Sequence, residues 1–265
     1  MRAYMDLHIH SVLSPCAEGD MTPNNIVNMA WLKELDIIAV TDHNAAENCS
    51  AVLNCAKKRG ILAVPGMEVE TREEVHILCL LPDLKAASEM QERIWHRLPE
   101  SKNRADIFGE QQVMNDEDQV VDEVERMLVT AANIGVEEIF AFVESLGGVA
   151  IPAHVDRSSY SIISNLGFIP EDVPVHFIEI SRQCDPDVHS IGKVLHGKYP
   201  YLRTSDAHRL EDILEREFYL ELDEISVPAL FRTLRGCSNS KGEKLLTFYR
   251  NLGEGVSGLN YEGRF

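Results

Sequence analysis

Basic residues are scarce in this 265-residue chain. Only 25 Lys and Arg stand against 43 Asp and Glu, a formal net charge of −18 with histidine neutral. Counterion release from a polyanion needs clustered Lys and Arg, so the deficit argues against a broad surface for nucleic acid or anionic lipid. It leaves room for one phosphoryl group held by metal ions in a cleft. No apolar run approaches the ~18 residues of a membrane span. Met1–His10 carries Asp6 and two histidines and no apolar h-region, which argues against a secretory signal. Six cysteines are too few for a disulfide scaffold, so the expected setting is a reducing cytoplasm. Cys49, Cys55 and Cys79 lie in apolar or helical surroundings and are expected as small core residues. No G-x-G-x-x-G follows the first strand and no P-loop occurs, which weakens a nucleotide-fold reading. Internal repeats and low-complexity tracts are missing too.

Short apolar runs alternating with helical stretches fill most of the chain. Tyr4–Ile9, Asp36–Thr41, Ile61–Val64 and Val75–Leu81 read as strands, the second nearly continuous as in a buried parallel sheet. Thr22-Pro23 marks a helix start, hydroxyl as cap and Pro at the first position. Ala45–Arg59 reads as a helix stopped by Gly60. The rhythm breaks at Pro82. Lys85–Ser145 holds 14 acidic and 6 basic residues, so −8 of the −18 lies there. Within it Asn103–Asp116 looks loop-like. Val120, Val121, Val124, Met127, Leu128 and Ala131 form one apolar stripe, which predicts an amphipathic helix over Glu117–Asn133. Strands resume at Val149–Pro152, Val175–Ile180, Tyr201–Thr204 and Glu217–Leu222, with a helix from Ser226-Pro228. Alternation over ~250 residues predicts an α/β fold with a closed barrel. The expected division is a barrel from 1–84 and 146–240, a helical insertion at 85–145, and an irregular tail at 241–265.

Ten histidines are the positive feature. Residues two apart on a strand face the same side, so His8 and His10 converge at the end of the first strand. His43 and Glu68 follow the second and third strands. His76 lies inside an apolar strand, where an unpaired imidazole is costly. His154 ends a later strand, and Asp206 and His208 repeat the two-apart spacing. Barrel enzymes place catalytic groups at these C-terminal strand ends. Six imidazoles and two carboxylates suit Zn²⁺, Mn²⁺ or Fe²⁺ and suit Mg²⁺ poorly. Eight ligands exceed one tetrahedral ion, so two or three divalent ions are expected, with Glu68 bridging a pair. His96, His176, His189 and His196 are expected in surface or packing roles.

The ordered motifs DLHIHS, TDHN, PGMEVE, a strand His, PAH and SDAH resemble the PHP (polymerase and histidinol phosphatase) family, in particular its free-standing bacterial phosphoesterases. The resemblance covers Met1 to about Leu81 and Gly147 to about Leu222. It implies a distorted seven-stranded β/α barrel, a helical insertion after the His76 strand and a trinuclear metal centre. Carried over, His8, His10, Glu68 and Asp206 hold one ion; Glu68, His76 and His154 a second; His43 and His208 a third. The family's acid five residues after the second His is Pro15 here. Glu18 or Asp20 substitutes through a longer loop, or Cys16 binds, or the third site is weak or empty. The implied chemistry is attack on phosphorus by a metal-bound hydroxide near Glu68. Arg182, after the Val175–Ile180 strand, and Arg157, three past His154, are candidates to clamp phosphate. The expected substrate is a small phosphorylated metabolite or a nucleotide, with a mononucleotide or short oligonucleotide end fitting better than extended nucleic acid. The competing readings are a metal-dependent amidohydrolase and a non-catalytic regulatory PHP domain. Nothing in the sequence sets an oligomeric state.

Overall fold

A computed structural model describes residues 1–185, 198–236 and 249–250. In chain order its elements are β1 (Arg2–Ile9), α1 (Pro23–Leu32), β2 (Ile37–Val40), α2 (Cys49–Arg59), β3 (Leu62–Glu70), β4 (His76–Leu80), α3 (Leu84–Trp95), α4 (Ala105–Phe108), β5 (Gln112–Met114), β6 (Val120–Glu123), α5 (Val136–Ser145), β7 (Val149–Pro152), α6 (Ile162–Leu166), β8 (Ile178–Ser181), β9 (Tyr201–Thr204), β10 (Phe218–Glu221), α7 (Val227–Leu234) and β11 (Tyr249–Arg250). The local signals act as the chain chemistry dictates. Thr22 caps α1 with Pro23 at its start. Gly60 ends α2 with φ 72°, a left-handed conformation that glycine adopts at little cost. Ser226 caps α7.

Apolar runs buried on every position form the centre of the sheet. β1, β2 and β3 pair in parallel; β4 turns back antiparallel on β3, and β7 antiparallel on β4. On the other side of β1, β10 pairs antiparallel, then β11. The order is β11-β10-β1-β2-β3-β4-β7, with β8-β9 a separate parallel pair.

The expected closed barrel does not appear as one continuous ladder among the described residues; the sheet is curled and open. Beyond β7 a bond from Val155 N to Glu179 O (2.9 Å) reaches β8. Beyond β9, His10 N donates to Ala207 O (2.9 Å) and Ala207 N to His8 O (3.3 Å), beside an isolated bridge between Ile9 and Ala207. Single bonds and a bridge join the curve where strand pairing stops.

The segment after Pro82 also differs from expectation. α3 and α5 are helices, but Glu117–Asn133 is not. It holds β6, paired antiparallel with β5. Asn115 Oδ1 accepts from Glu117 N and Gln119 N, and Asp118 has φ 58°. Gln111 donates to the carbonyls of Val124 and Arg126 and accepts from Leu128 N. These side chains satisfy the backbone groups that a helix would pair, the competition to which Asn is prone. The predicted stripe is split: Leu128 is buried, while Val120 and Val121 are exposed. α3 (Ala86, Ala87, Met90, Ile94) and α5 (Val136, Ile139, Phe140, Val143) share one core cluster with Met67, Ile77 and Cys79 of β3 and β4. No helix among the described residues is long and apolar enough to cross a membrane. The tail expected at 241–265 lies outside the described residues apart from β11.

Candidate metal centre

The curl of the sheet gathers the ends of β1, β2, β3, β7 and β9 and the start of β4. His8 and His10, two apart on β1, are fully buried with their Nε2 atoms 3.2 Å apart. Glu68, 1% exposed, is the hub. Its Oε1 faces His76 Nδ1 (2.9 Å), His154 Nε2 (3.1 Å) and His8 Nε2 (3.4 Å). Its Oε2 faces His43 Nδ1 (3.0 Å) and His10 Nε2 (3.4 Å). Asp206 Oδ1 lies 3.0 Å from His10 Nε2 and 3.4 Å from His8 Nε2. All eight sequence-predicted ligands thus meet in one place. Three overlapping groups have ligand atoms all within 4.8 Å of one another: His8, His10, Glu68, Asp206; His43, Glu68, His76; and His10, His43, His208.

Buried imidazoles on a β1 end need their outer nitrogens fixed, and three residues not singled out from the sequence do this. His8 Nδ1 faces both oxygens of buried Glu179 at 3.0 Å. An N–H given to that carboxylate leaves the Nε2 lone pair for the cluster. His10 Nδ1 lies 3.0 Å from Ser14 Oγ, which donates to Asp42 Oδ1 at 2.7 Å. A hydroxyl already donating to a carboxylate must accept from His10, so His10 Nε2 also presents its lone pair. Glu179 was signalled by a carboxylate inside the apolar run VHFIEI. Asp42 and Ser14 carried no signal beyond adjacency to motif residues.

Charge and burial oppose each other throughout. Burial alone would raise the Glu68 carboxyl, yet His76, His8 and His43 hold it well below the usual carboxylate range. Burial would likewise raise Asp206, but His8 and His10 hold it low. Burial disfavours a charged His8; Glu179, Glu68 and Asp206 outweigh it and raise its pKa well above the usual value. Burial together with His208 and His43 pushes His10 well below. Burial would raise the Cys16 thiol, but His208 and His43 bring it down to about 7.

The donor set fits divalent ions. Two imidazole lone pairs point at each other with two carboxylates across from them. Asp206 Oδ1 is buried with no aligned hydrogen-bond donor, and so is His154 Nδ1. A carboxylate oxygen in that state is costly, and a cation between these atoms removes the penalty. His154 and Asp206 have φ 29° and 50°, a left-handed backbone held at the two strand ends that deliver ligands.

The remaining predicted residues fall differently. Glu18 pairs with Arg209 at 2.9 Å on the surface, and Asp20 is exposed; neither belongs to the three groups. Arg157 reaches Asp206 Oδ2 at 2.6 Å. Arg182 donates to Asp212 O at 3.1 Å. His96 and His176 are surface residues, as expected; His189 and His196 lie outside the described residues.

A curled α/β sheet with a buried His/Glu/Asp cluster at its strand ends is the framework of a metal-binding α/β domain. The chain belongs to the PHP domain family, whose model matches residues 6–156. It is 28% identical over 168 residues to the uncharacterised protein MJ0043 of Methanocaldococcus jannaschii, covering 63% of this chain and 18% of that one. It is 33% identical over 81 residues to the 3′,5′-nucleoside bisphosphate phosphatase of Chromobacterium violaceum, covering 29% and 27%. The chain thus spans less than a third of the length of these curated relatives. Among solved structures, the lesion-specific endonuclease EndoQ of Pyrococcus furiosus superposes with a TM-score of 0.64 at 22% identity, covering 90% of this chain and 57% of that one.

Proposed function

We propose that the chain is a metal-dependent phosphoesterase acting on a small phosphorylated metabolite or a nucleotide. The observation that carries this is the Glu68 hub, one buried carboxylate placed between two groups of imidazoles. When bound, divalent ions at such a centre lower the pKa of water and neutralise phosphoryl charge. The chain's own residues divide the remaining work. Glu68 and Asp206 supply the anionic ligands, with His8, His10, His43, His76, His154 and His208 the neutral ones. Glu179 and the Ser14–Asp42 pair orient His8 and His10. Arg157, half-exposed and already on Asp206, is the guanidinium nearest to hand for a phosphate oxygen. Residues 85–145 act as an insertion bordering the site, since Asn44 beside His43 is bonded to the carbonyls of Leu128 and Thr130.

The named activity of the nucleoside bisphosphate phosphatase supports a nucleotide substrate. An amidohydrolase with a lysine bridge fits less well, because β4 carries His76 and the bridging position belongs to Glu68. The test is turnover. Protein loaded with Mn²⁺ is given p-nitrophenyl phosphate, nucleoside mono- and bisphosphates and short oligonucleotides. Chelator-sensitive phosphate release is expected, reduced at least ~100-fold by Glu68→Gln. Arg157→Ala is expected to raise KM, whereas Arg182→Ala leaves kcat/KM unchanged. No turnover across the panel at full metal occupancy would sink the proposal.

A further inference from the structure

Two of the three ligand groups contain Glu68, but the third, His10, His43 and His208, is imidazole only. A divalent ion held by three neutral ligands in a strongly acidic protein lacks the anionic partner that the other two groups have. Glu18 and Asp20 do not supply it. Cys16 lies between Ser14, whose hydroxyl accepts from His43 N, and Glu18, whose N donates to His208 O, so the loop holds its thiol next to both histidines. We propose that Cys16 is the anionic ligand of that third group, binding an ion through sulfur together with His43 and His208; this rests on the metal-centre reading above.

The loop is built to hold that sulfur in place. Ser14-Pro15-Cys16-Ala17 is a turn closed by Ala17 N donating to Ser14 O at 3.0 Å. Proline at its second position presets φ there, and Cys16 follows at the third. Ser14 is itself fixed, because its hydroxyl joins His10 to Asp42 and accepts from His43 N at 3.1 Å. The turn's far end is tied to the other imidazole, with Glu18 N donating to His208 O at 2.9 Å. From the insertion, Gly109 packs against the turn: at φ 101°, a Cβ there would overlap the Pro15 carbonyl. Both neighbours of the thiol are therefore anchored to residues that flank it in the group. A thiolate among imidazoles selects zinc, iron or cobalt over magnesium or calcium, so this position would be the softest in the centre.

The test is spectroscopic and does not depend on turnover. The full-length protein is stripped with chelator and reloaded with Co²⁺. Wild type is expected to show a sulfur-to-cobalt charge-transfer band in the near ultraviolet. Cys16→Ser is expected to lose the band and one equivalent of cobalt per chain. Cys16→Asp is expected to keep that equivalent without the band, which separates loss of a ligand from loss of fold. A cobalt-loaded wild type with no such band overturns the proposal. So does a Cys16→Ser protein that keeps the band, or one that binds as much cobalt as wild type. A chain that shows the band but hydrolyses no phosphoester retains Cys16 as a ligand and loses the phosphoesterase reading instead.

Discussion

Glu70 lies two residues beyond Glu68 on β3 and is almost buried. Burial pushes its carboxyl up to about 7, with Glu74 and Glu68 adding to the rise against His43. A folded-state pKa above the unfolded value means that stability is full below the unfolded pKa and is lost as pH rises through the folded one. The window runs from the ordinary 4.5 to about 7. At roughly 1.4 kcal/mol per unit, reduced by about half for solvent screening, Glu70 is expected to make metal-free protein about 1–2 kcal/mol less stable at pH 8 than at pH 4. Glu70→Gln is expected to remove that part of the slope and to be the more stable protein at pH 8. Urea denaturation in chelator at both pH values checks this, and parallel slopes for the two proteins would refute it. The ligands themselves were legible at this scale, because a two-residue spacing on a strand fixes a common side. Glu179 stood out as a carboxylate in an apolar run, but its role did not, because nothing local says that a carboxylate 171 positions away faces His8. Nor did adjacency to His154 or to the Val175–Ile180 strand tell Arg157 from Arg182; their partners are set by loops.

Asn44 joins three elements. Its Nδ2 donates to the carbonyls of Leu128 (2.7 Å) and Thr130 (3.0 Å), and its Oδ1 accepts from Glu70 N (3.2 Å). Its φ of 50° is a conformation that asparagine tolerates better than most side chains. Asn44→Ala removes one donor from the Leu128 carbonyl, the Nδ2 donor of Thr130 O and the acceptor of Glu70 N, and strains the backbone, so a loss of ~1–3 kcal/mol is expected, with weaker metal binding because His43 is its neighbour. Chemical denaturation measures the first and metal titration the second; a loss under ~0.5 kcal/mol would show the clamp to be idle. Elements with strong end signals were readable, as α1, α2 and α7 show. The β5–β6 hairpin was not. Its apolar residues happen to fall at helical spacing, while Asn115 and Gln111 capture the backbone from the side.

For the molecule as a whole, the centre is expected to contribute much of the stability, since eight of its ligands come from six strand ends. Ligand binding to the folded state alone adds about 4 kcal/mol at a thousandfold excess over Kd. For a chain of this size that is roughly 10 °C in Tm. Chelator treatment is expected to lower Tm by that amount and added Zn²⁺ or Mn²⁺ to restore it, read by differential scanning calorimetry. An unchanged Tm would mean that the folded and unfolded chains bind metal equally. The alternation of strands and helices foretold an α/β fold. Where the sheet fails to close was illegible, because it depends on single hydrogen bonds from Val155 and Ala207 rather than on any local pattern.

The bond from Ser205 N to Asp6 spans 199 positions, and that distance has a meaning in time. A ribosome adding ~5–20 residues per second needs about 10–40 s to deliver Asp206 after His8 has emerged. During that interval the paired imidazoles of β1 have neither Asp206 nor the Ala207 bridge. The group of His8, His10, Glu68 and Asp206 is therefore completed only after the polypeptide is largely made, whereas His43, Glu68 and His76 are together much earlier. Interactions formed after the folding barrier slow unfolding and leave the folding rate unchanged. A metal ion held by that late group would then act as a latch, setting how long the native protein lasts rather than how fast it is reached.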